Sequence, residues 1–124
     1  MKKSIIEDKT FKFAIRVVKL YQYLVNEKCE YIMSKQLLRS GTSIGANVSE
    51  SQRGQSNLDF YSKISIALKE ANETFYWIRL LHATEYLDQK EYLSLHADIN
   101  EIISILVAIS KSKDKKKSLS NNRS

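Results

Sequence analysis

The sequence predicts an all-α fold built from four long helices. The chain of 124 residues contains no proline and only three glycines. Its abundant Leu, Ile, Lys, Glu and Ala favour uninterrupted helices over sheets. Apolar residues recur every three or four positions in four separate segments, which is the period of an amphipathic helix. The length fits one domain that buries about two-thirds of the surface of its unfolded chain.

The first predicted helix, about residues 10–27, carries two rows of apolar side chains. One row consists of Phe11, Ala14, Ile15, Val18, Tyr21 and Val25. The other consists of Phe13, Val17, Leu20 and Leu24. Together they are wider than a single stripe, so we expect this helix to be covered on two sides, by the bundle and by something else. The polar residues 26–30 predict the following turn.

The second predicted helix, about residues 31–52, contains Gly41 and Gly45 on or beside its apolar side. Each glycine weakens a helix by about 1 kcal/mol relative to alanine. Their spacing of four residues predicts that a neighbouring helix approaches the backbone closely here. Gly54 follows the helix and is expected to end it in the left-handed conformation.

A row of small and polar side chains lies beside the apolar side of the second helix. We call Arg39, Ser40, Ser43, Asn47 and Glu50 the polar seam; Gln36 continues the same row. The seam has two interpretations, a hydrogen-bonding site for a ligand or a satisfied polar contact that fixes helix register or subunit orientation. We favour the structural one, because a ligand site would also need a base, a metal ligand or a cation.

The third predicted helix begins after Ser56, which acts as its N-cap with Asp59 at the third position, and it runs to about residue 86. Ile66 and Trp77 lie three turns apart on a side otherwise occupied by charged residues. Two aligned apolar side chains, one of them a tryptophan, indicate a subunit contact. Ile66 and Trp77 are therefore the candidate oligomer interface.

The fourth predicted helix begins after Asp88, where Glu91 completes a start that resembles a capping box. Its expected core face is formed by Tyr92, Leu95, Ile99, Ile102, Ile103, Leu106 and Ile109. His82 and His96 have no acidic or cysteine partner at metal-ligand spacing, so we interpret both as structural. We expect the four-helix domain to occupy residues 1–110.

The positive charge is concentrated in the last residues of the chain. Residues 1–110 contain 14 Lys and Arg against 13 Asp and Glu, whereas residues 111–124 contain six basic residues and one acid. We expect residues 111–124 to be a disordered basic tail. Its candidate phosphate-binding residues are Lys111, Lys113, Lys115, Lys116, Lys117 and Arg123. A solubilising overhang is the simpler interpretation of the tail, and salt-dependent nucleic-acid binding is the other.

Several functional classes find no support in the residues. The N-terminus lacks the apolar core of a signal peptide, and no apolar run approaches the roughly 20 residues of a membrane span. A single cysteine, Cys29, excludes an internal disulfide and fits the cytoplasm. Carboxylate di-metal bundles use Glu-x-x-His pairs, and this chain has none. We therefore expect no enzymatic activity, no metal and no cofactor.

Residues 39–81 resemble the four-helix bundle proteins named after reading frames within 23S rRNA intervening sequences. The residues that carry the resemblance are Arg39-Ser40, Ser43 to Val48, Glu50, Ser56, Asp59-Phe60, Ile66 to Ala71, Glu73-Thr74 and Tyr76-Trp77. Phe13-Ala14 and the apolar run 17–25 fit the family's first helix. Gly41 and Ser51 depart from the usual residues but remain small. The likeness extends over roughly residues 9–110.

The resemblance implies an antiparallel up-and-down four-helix bundle that assembles as a ring-like homo-oligomer, often of five subunits. The family's name records a genomic location, and its biochemical role is not settled. Two functional hypotheses follow for this chain. The first is a homo-oligomeric scaffold that presents a surface to another protein, and the second is an accessory protein that binds RNA or DNA through basic tails. We favour the scaffold.

Overall fold

The computed structural model describes residues 4–121, with side chains described for residues 4–113. This part of the chain forms four α-helices and contains no strand. The helices are α1 (Ile5–Asn26), α2 (Met33–Ser51), α3 (Asn57–Ala83) and α4 (Gln89–Asn121). The all-α prediction is confirmed, and each helix lies where the apolar period predicts it, with differences of up to about five residues at every end except the C-terminal end of α4.

Side-chain caps fix where three of the helices begin. The Ser4 hydroxyl accepts a hydrogen bond from the Glu7 backbone N–H at 3.2 Å, which starts α1 five residues earlier than predicted. The Ser56 hydroxyl accepts from the Asp59 N–H at 3.1 Å, and this predicted cap is confirmed. Asp88 Oδ1 accepts from the Glu91 N–H at 2.7 Å. Each cap satisfies a backbone donor that the helix itself leaves unpaired.

The start of α2 depends on Glu30, which the sequence analysis assigned only to a polar turn. Its carboxylate accepts hydrogen bonds from the backbone N–H groups of Ile32, Met33 and Ser34 at 3.0, 2.9 and 2.7 Å. Burial by itself raises the pKa of Glu30, but these donors outweigh it and hold the pKa below its usual value. A buried carboxylate therefore caps α2 from outside the helix.

The four helices pack around one apolar core. On α1 the buried row contains Phe13, Val17, Leu20 and Leu24, whereas Phe11, Ile15 and Val18 of the other row are exposed. The core side of α4 contains Leu95, Ile99, Ile102 and Leu106, as expected. The two rows of α1 thus divide between the core and the outer surface of the molecule.

Close approach of α1 and α2 occurs at both glycines, which confirms the prediction. A Cβ atom on Gly41 would lie 2.7 Å from Val17 Cγ2, and one on Gly45 would lie 3.2 Å from the Thr10 carbonyl oxygen. Late residues of α2 therefore contact early residues of α1. Contacts between α2 and α3 and between α3 and α4 have the same sense, as in the Ser40–Thr74 and Tyr61–Ser112 hydrogen bonds.

The prediction for Gly54 is wrong. No glycine of the described chain has a positive φ, so Gly54 does not end α2 in the left-handed conformation. A Cβ atom there would lie 3.2 Å from the Phe60 backbone nitrogen and 3.3 Å from Asp59 Cβ. The residue is small because the first turn of α3 packs against it. The left-handed positions are instead Cys29 and Glu85, in the other two turns.

The fourth helix, α4, is longer than the sequence predicts. It continues without interruption from Gln89 to Asn121, so the expected boundary at residue 110 lies inside it. The segment contains no glycine or proline to stop it, and adding a residue to an existing helix costs little compared with nucleation. Residues 111–121 are helical in the structure, in contrast to the disordered tail that their polar composition predicts. Arg123 lies outside the described residues.

By length and composition alone, one stretch of the described chain, Gln89–Lys113 in α4, is apolar enough to cross a bilayer. Counting uninterrupted apolar runs missed it, because Ser and Asn residues interrupt the segment. Its residues Leu95, Ile99, Ile102 and Leu106 lie in the protein core. Core packing accounts for part of its apolar character, because 22% of the apolar 18-residue window is buried.

Candidate functional site

The polar seam is occupied mainly by contacts within the chain. The hydroxyl of Ser43 donates to the Arg39 carbonyl at 2.6 Å, and the Asn47 side-chain amide donates to the Ser43 carbonyl at 2.8 Å. Glu50 Oε2 lies 2.8 Å from Lys63 Nζ. These side chains use their polar atoms on their own helix or on α3. Nothing in this arrangement joins a nucleophile to a base.

Ser40 is the one seam residue that is fully buried. The hydroxyl of Thr74 on α3 donates to the Ser40 hydroxyl at 2.9 Å, and it also lies 2.8 Å from the Glu70 carbonyl oxygen. Thr74 is also fully buried. The pair joins α2 to α3 inside the core, where an unpaired hydroxyl would be costly.

Arg39 connects the seam to two carboxylates of α3. Its Nη2 donates to Glu73 Oε1 at 2.6 Å, and its Nη1 lies 3.5 Å from Glu70 Oε2. Hydrogen bonding from Arg39 is the main reason that the pKa of Glu73 lies below its usual value. Trp77 lowers that pKa further through its indole N–H, although the two groups lack full hydrogen-bond geometry. Arg39 therefore balances negative charge of these carboxylates within the chain.

The two candidate interface residues differ in exposure. Ile66 is 40% exposed, whereas Trp77 is half-buried and packs against the core. The indole N–H of Trp77 is buried and has no hydrogen-bond partner among the described residues. Tyr76, beside it in sequence, is 54% exposed. Ile66 is therefore the more exposed of the two candidate residues, and Tyr76 is exposed on a neighbouring side of α3, about 80° around the helix from Ile66.

A second exposed apolar surface lies on α1 and α2, and the candidate residues above do not include it. Phe11 is 64% exposed, and Ile15 and Val18 follow it along α1. A groove of about 360 Å³ runs beside Phe11. We call it the α1–α2 groove, and Glu7 and Asp8 lie at one end of it. The rest of its lining is formed by Phe11, Ala14, Thr42, Gly45, Ala46 and Ser49. The wide apolar surface predicted for the first helix is the sequence signal for it.

A wider pocket of about 1080 Å³ lies between α1 and the α3–α4 turn. Leu20 and Leu87 form its buried base. Arg16 lies at its edge and is engaged by Asp98 at 2.6 Å and by Glu91 at 3.3 Å. The His82 ring stacks on the Tyr92 ring with 3.9 Å between the ring centroids, and it forms a hydrogen bond with Gln89. The pocket combines both charge signs and has no arrangement of a nucleophile with a base.

The described residues contain no group of three His, Cys, Asp or Glu side chains that could hold a metal ion. Cys29 is exposed and forms no disulfide.

Most of the basic residues at the chain end follow the contact between Ser112 of α4 and Tyr61 of α3. Ser112 and Tyr61 share a hydrogen bond of 2.9 Å, and Tyr61 is in the second turn of α3. Lys111 and Lys113 are exposed. Lys115, Lys116 and Lys117 follow on the same helix, with side chains outside the described set. The helix therefore continues to Asn121 after a contact at the second turn of α3.

Comparison with known proteins identifies the family. The family model of the 23S rRNA-intervening sequence protein matches residues 2–108. The chain belongs to this family. The recognition made from residues 39–81 is thereby confirmed. The match to the family model ends before Lys111, so the basic end of α4 lies beyond the matched residues.

A solved structure supports the same assignment. The chain is 53% identical to a protein with unknown function from the S23 ribosomal protein family of Bacteroides thetaiotaomicron. The two structures superpose with a TM-score of 0.85, over 86% of this chain and 99% of the other. No curated protein matches the chain. Neither the description of the family nor that of the solved structure indicates an enzyme.

Proposed function

We propose that this protein is a non-enzymatic, homo-oligomeric scaffold of the cytoplasm that presents a surface to another protein. The observation that carries the proposal is the presence of two exposed apolar surfaces on different sides of the bundle. Phe11, Ile15 and Val18 form one, and Ile66, with the half-buried Trp77 on the same side of α3, forms the other. Aligned apolar side chains on a surface are a mark of protein contacts.

The architecture within this proposal is an antiparallel up-and-down bundle that forms a ring of five subunits. The paired contacts between consecutive helices support the antiparallel order, because residues early in one helix meet residues late in the next. Two different contact surfaces support a ring, since a head-to-tail interface closes when the rotation per subunit divides a full turn. The number five is implied by the family resemblance.

Light scattering coupled to size exclusion tests the assembly. We expect a mass that is a multiple of the 14.4 kDa chain, with a value near five chains for the proposed ring. A stable monomer at micromolar concentration would contradict the proposal.

Nucleic-acid association is the second candidate function, and the extension of α4 favours it. The segment 111–121 carries five lysines and one aspartate in the last turns of α4. Five such helices on one ring would bind a polyanion with avidity that one copy lacks. A pull-down with and without nuclease separates the two functions, because a protein partner of the scaffold is retained after nuclease and a nucleic-acid-bridged partner is lost.

A further inference from the structure

The α1–α2 groove has both a shape and a charge. Its walls are Phe11 and Ala14 on one side and Ala46 on the other, and Gly45 lies at its base because no side chain fits over Thr10. Glu7 and Asp8 stand at one end. Asp8 is paired with Lys12 at 3.0 Å, whereas Glu7 has no ion-pair partner in the described part of the chain. The groove thus combines apolar side chains with the hydroxyl-bearing residues Thr42 and Ser49, and it is acidic at one end.

The outer side of α3 has the complementary features. Ile66 projects there with 40% of its surface exposed. Lys69, one turn further along the helix, is exposed, and it forms no ion pair within 4 Å among the described residues. Lys63 and Glu70, which also flank Ile66, are already paired with Glu50 and Arg39 of α2. The uncompensated charge beside Ile66 is therefore positive.

The spacing of these features matches on the two surfaces. Asp8 and Phe11 are three residues apart on α1, and Ile66 and Lys69 are three residues apart on α3. Three residues of an α-helix correspond to a rise of about 4.5 Å. An apolar side chain placed in the groove beside Phe11 therefore brings a cation one turn away to the acidic end.

We propose that the α1–α2 groove of one copy binds the outer side of α3 of a second copy, with Ile66 in the groove and Lys69 beside Glu7 and Asp8. This inference rests on the proposed homo-oligomer and assigns the two surfaces that form its interface. Pairing groove with groove would bring two acidic ends together and leave both grooves without a side chain to fill them. The two surfaces are different, so the contact is head-to-tail and repeats from one subunit to the next.

Charge reversal in the full chain tests this assignment. Glu7→Lys and Lys69→Glu each place like charges across the proposed contact. We expect each variant to dissociate at a concentration at least about tenfold higher than the wild type, because like-charge juxtaposition costs more than the 1.4 kcal/mol that corresponds to tenfold. The double variant Glu7→Lys/Lys69→Glu restores the opposite charges and should assemble within about threefold of the wild type. Lys35→Glu, at an exposed lysine of α2, is the matched control and should assemble normally.

Mixing the two single variants provides a test that misfolding cannot imitate. Each contact between a Glu7→Lys chain and a Lys69→Glu chain presents opposite charges, so a mixed ring of five subunits can satisfy four of its five contacts. We expect the mixture to assemble better than either variant alone, with helical content unchanged by circular dichroism. If the wild type assembles and both reversals assemble equally well, the assignment of these surfaces is wrong while the oligomer proposal stands. If the wild type is a monomer, the oligomer proposal itself fails.

Discussion

Val17 of α1 lies directly over the backbone of Gly41 of α2. A Cβ atom added at Gly41 would approach Val17 Cγ2 to 2.7 Å and Val17 Cγ1 to 2.8 Å. Both residues are buried in the core, and carbon atoms that are not bonded attract best at about 3.5–4.0 Å. The hydrogen of Gly41 is what allows α1 and α2 to meet at this distance.

Gly41→Ala should therefore destabilise the protein despite the better helix propensity of alanine. The propensity gain is about 1 kcal/mol, and overpacking a filled core costs about 1–3 kcal/mol. We expect a net decrease in the free energy of unfolding of up to about 2 kcal/mol. Urea denaturation measures it. In a Val17→Ala background the same substitution should become stabilising, because the clashing methyl groups are gone; equal effects in both backgrounds would argue against the close contact.

The hydroxyls of Ser40 and Thr74 should be strongly coupled. Thr74→Val leaves the buried Ser40 hydroxyl without its partner on α3, which costs about 1–3 kcal/mol. Removing both hydroxyls in Ser40→Ala/Thr74→Val should cost less than the sum of the single changes, because no polar group is then stranded. A double-mutant cycle in urea measures the coupling. Additive effects would mean that the pair contributes nothing as a pair.

Glu30 should make the stability of α2 depend on acid. The folded protein holds the pKa of Glu30 below its ordinary 4.5, so the stabilisation is complete above that value and is lost as pH falls through the folded pKa. Glu30→Gln should lower the free energy of unfolding at pH 7 by about 1–2 kcal/mol, as loss of a helix cap does. Thermal denaturation from pH 7 to pH 3 should show the wild type and the variant converging. Glu27→Gln, an exposed neighbour, serves as control and should give a constant difference.

Nucleic-acid binding, if the second candidate function is correct, should depend on the end of α4. Truncation after Lys113 keeps the Tyr61–Ser112 hydrogen bond and removes four of the six basic residues after position 110. We expect the full chain to lose up to about a thousandfold in affinity between 50 and 200 mM salt, as six phosphate contacts predict. Filter binding with a mixed-sequence duplex measures this.

The matched control for that truncation is neutralisation of an equal number of basic residues elsewhere, with Lys19, Lys28, Lys35 and Lys90 changed to glutamine. This variant should retain binding and its salt dependence. Tight binding by the truncated chain would instead assign the nucleic-acid surface to the bundle. Absence of binding by the full chain at low salt would leave the scaffold as the better function.

The sequence predicts the existence of each helix but not which row of α1 faces inward. The rows led by Phe11 and by Phe13 have the same period and similar apolar character, so periodicity alone cannot rank them. The choice is made by Gly41 and Gly45, which admit Val17 and Thr10 against α2. That information lies on another helix, and reading it requires the register between the two.

Local capping chemistry is more predictable when it lies close in sequence. Ser56 and Asp88 each accept a hydrogen bond from an N–H three residues later, which follows a known pattern. Glu30 caps α2 from a turn whose path depends on the left-handed conformation of Cys29. Cysteine is not a residue type that predicts this conformation. Gly54 shows the reverse error, because a glycine after a helix suggests a left-handed end and here serves close packing.

For the candidate site, the sequence predicts the chemistry of the polar seam more completely than the geometry of the outer surface. Hydroxyl and amide side chains at helical spacing can bond the preceding turn, as Ser43 and Asn47 do. Trp77 was expected beside Ile66 on an exposed side, and the two do share a helical side. The core extends far enough to cover most of Trp77, which depends on how α3 is rotated against its neighbours.

The first and last helices are connected by charged side chains rather than by a turn of the chain. Lys9 pairs with Glu101, and Arg16 pairs with Asp98 and Glu91. Ion pairs at a surface are screened by salt. The ion pairs of Arg39 and Lys63 between α2 and α3 are screened in the same way, but the buried Ser40–Thr74 hydrogen bond and the apolar packing between these helices are not. Raising the ionic strength should thus loosen the edge between α1 and α4 before any other part of the bundle. Amide hydrogen exchange along these two helices would then become faster in salt while the contact between α2 and α3 stays protected.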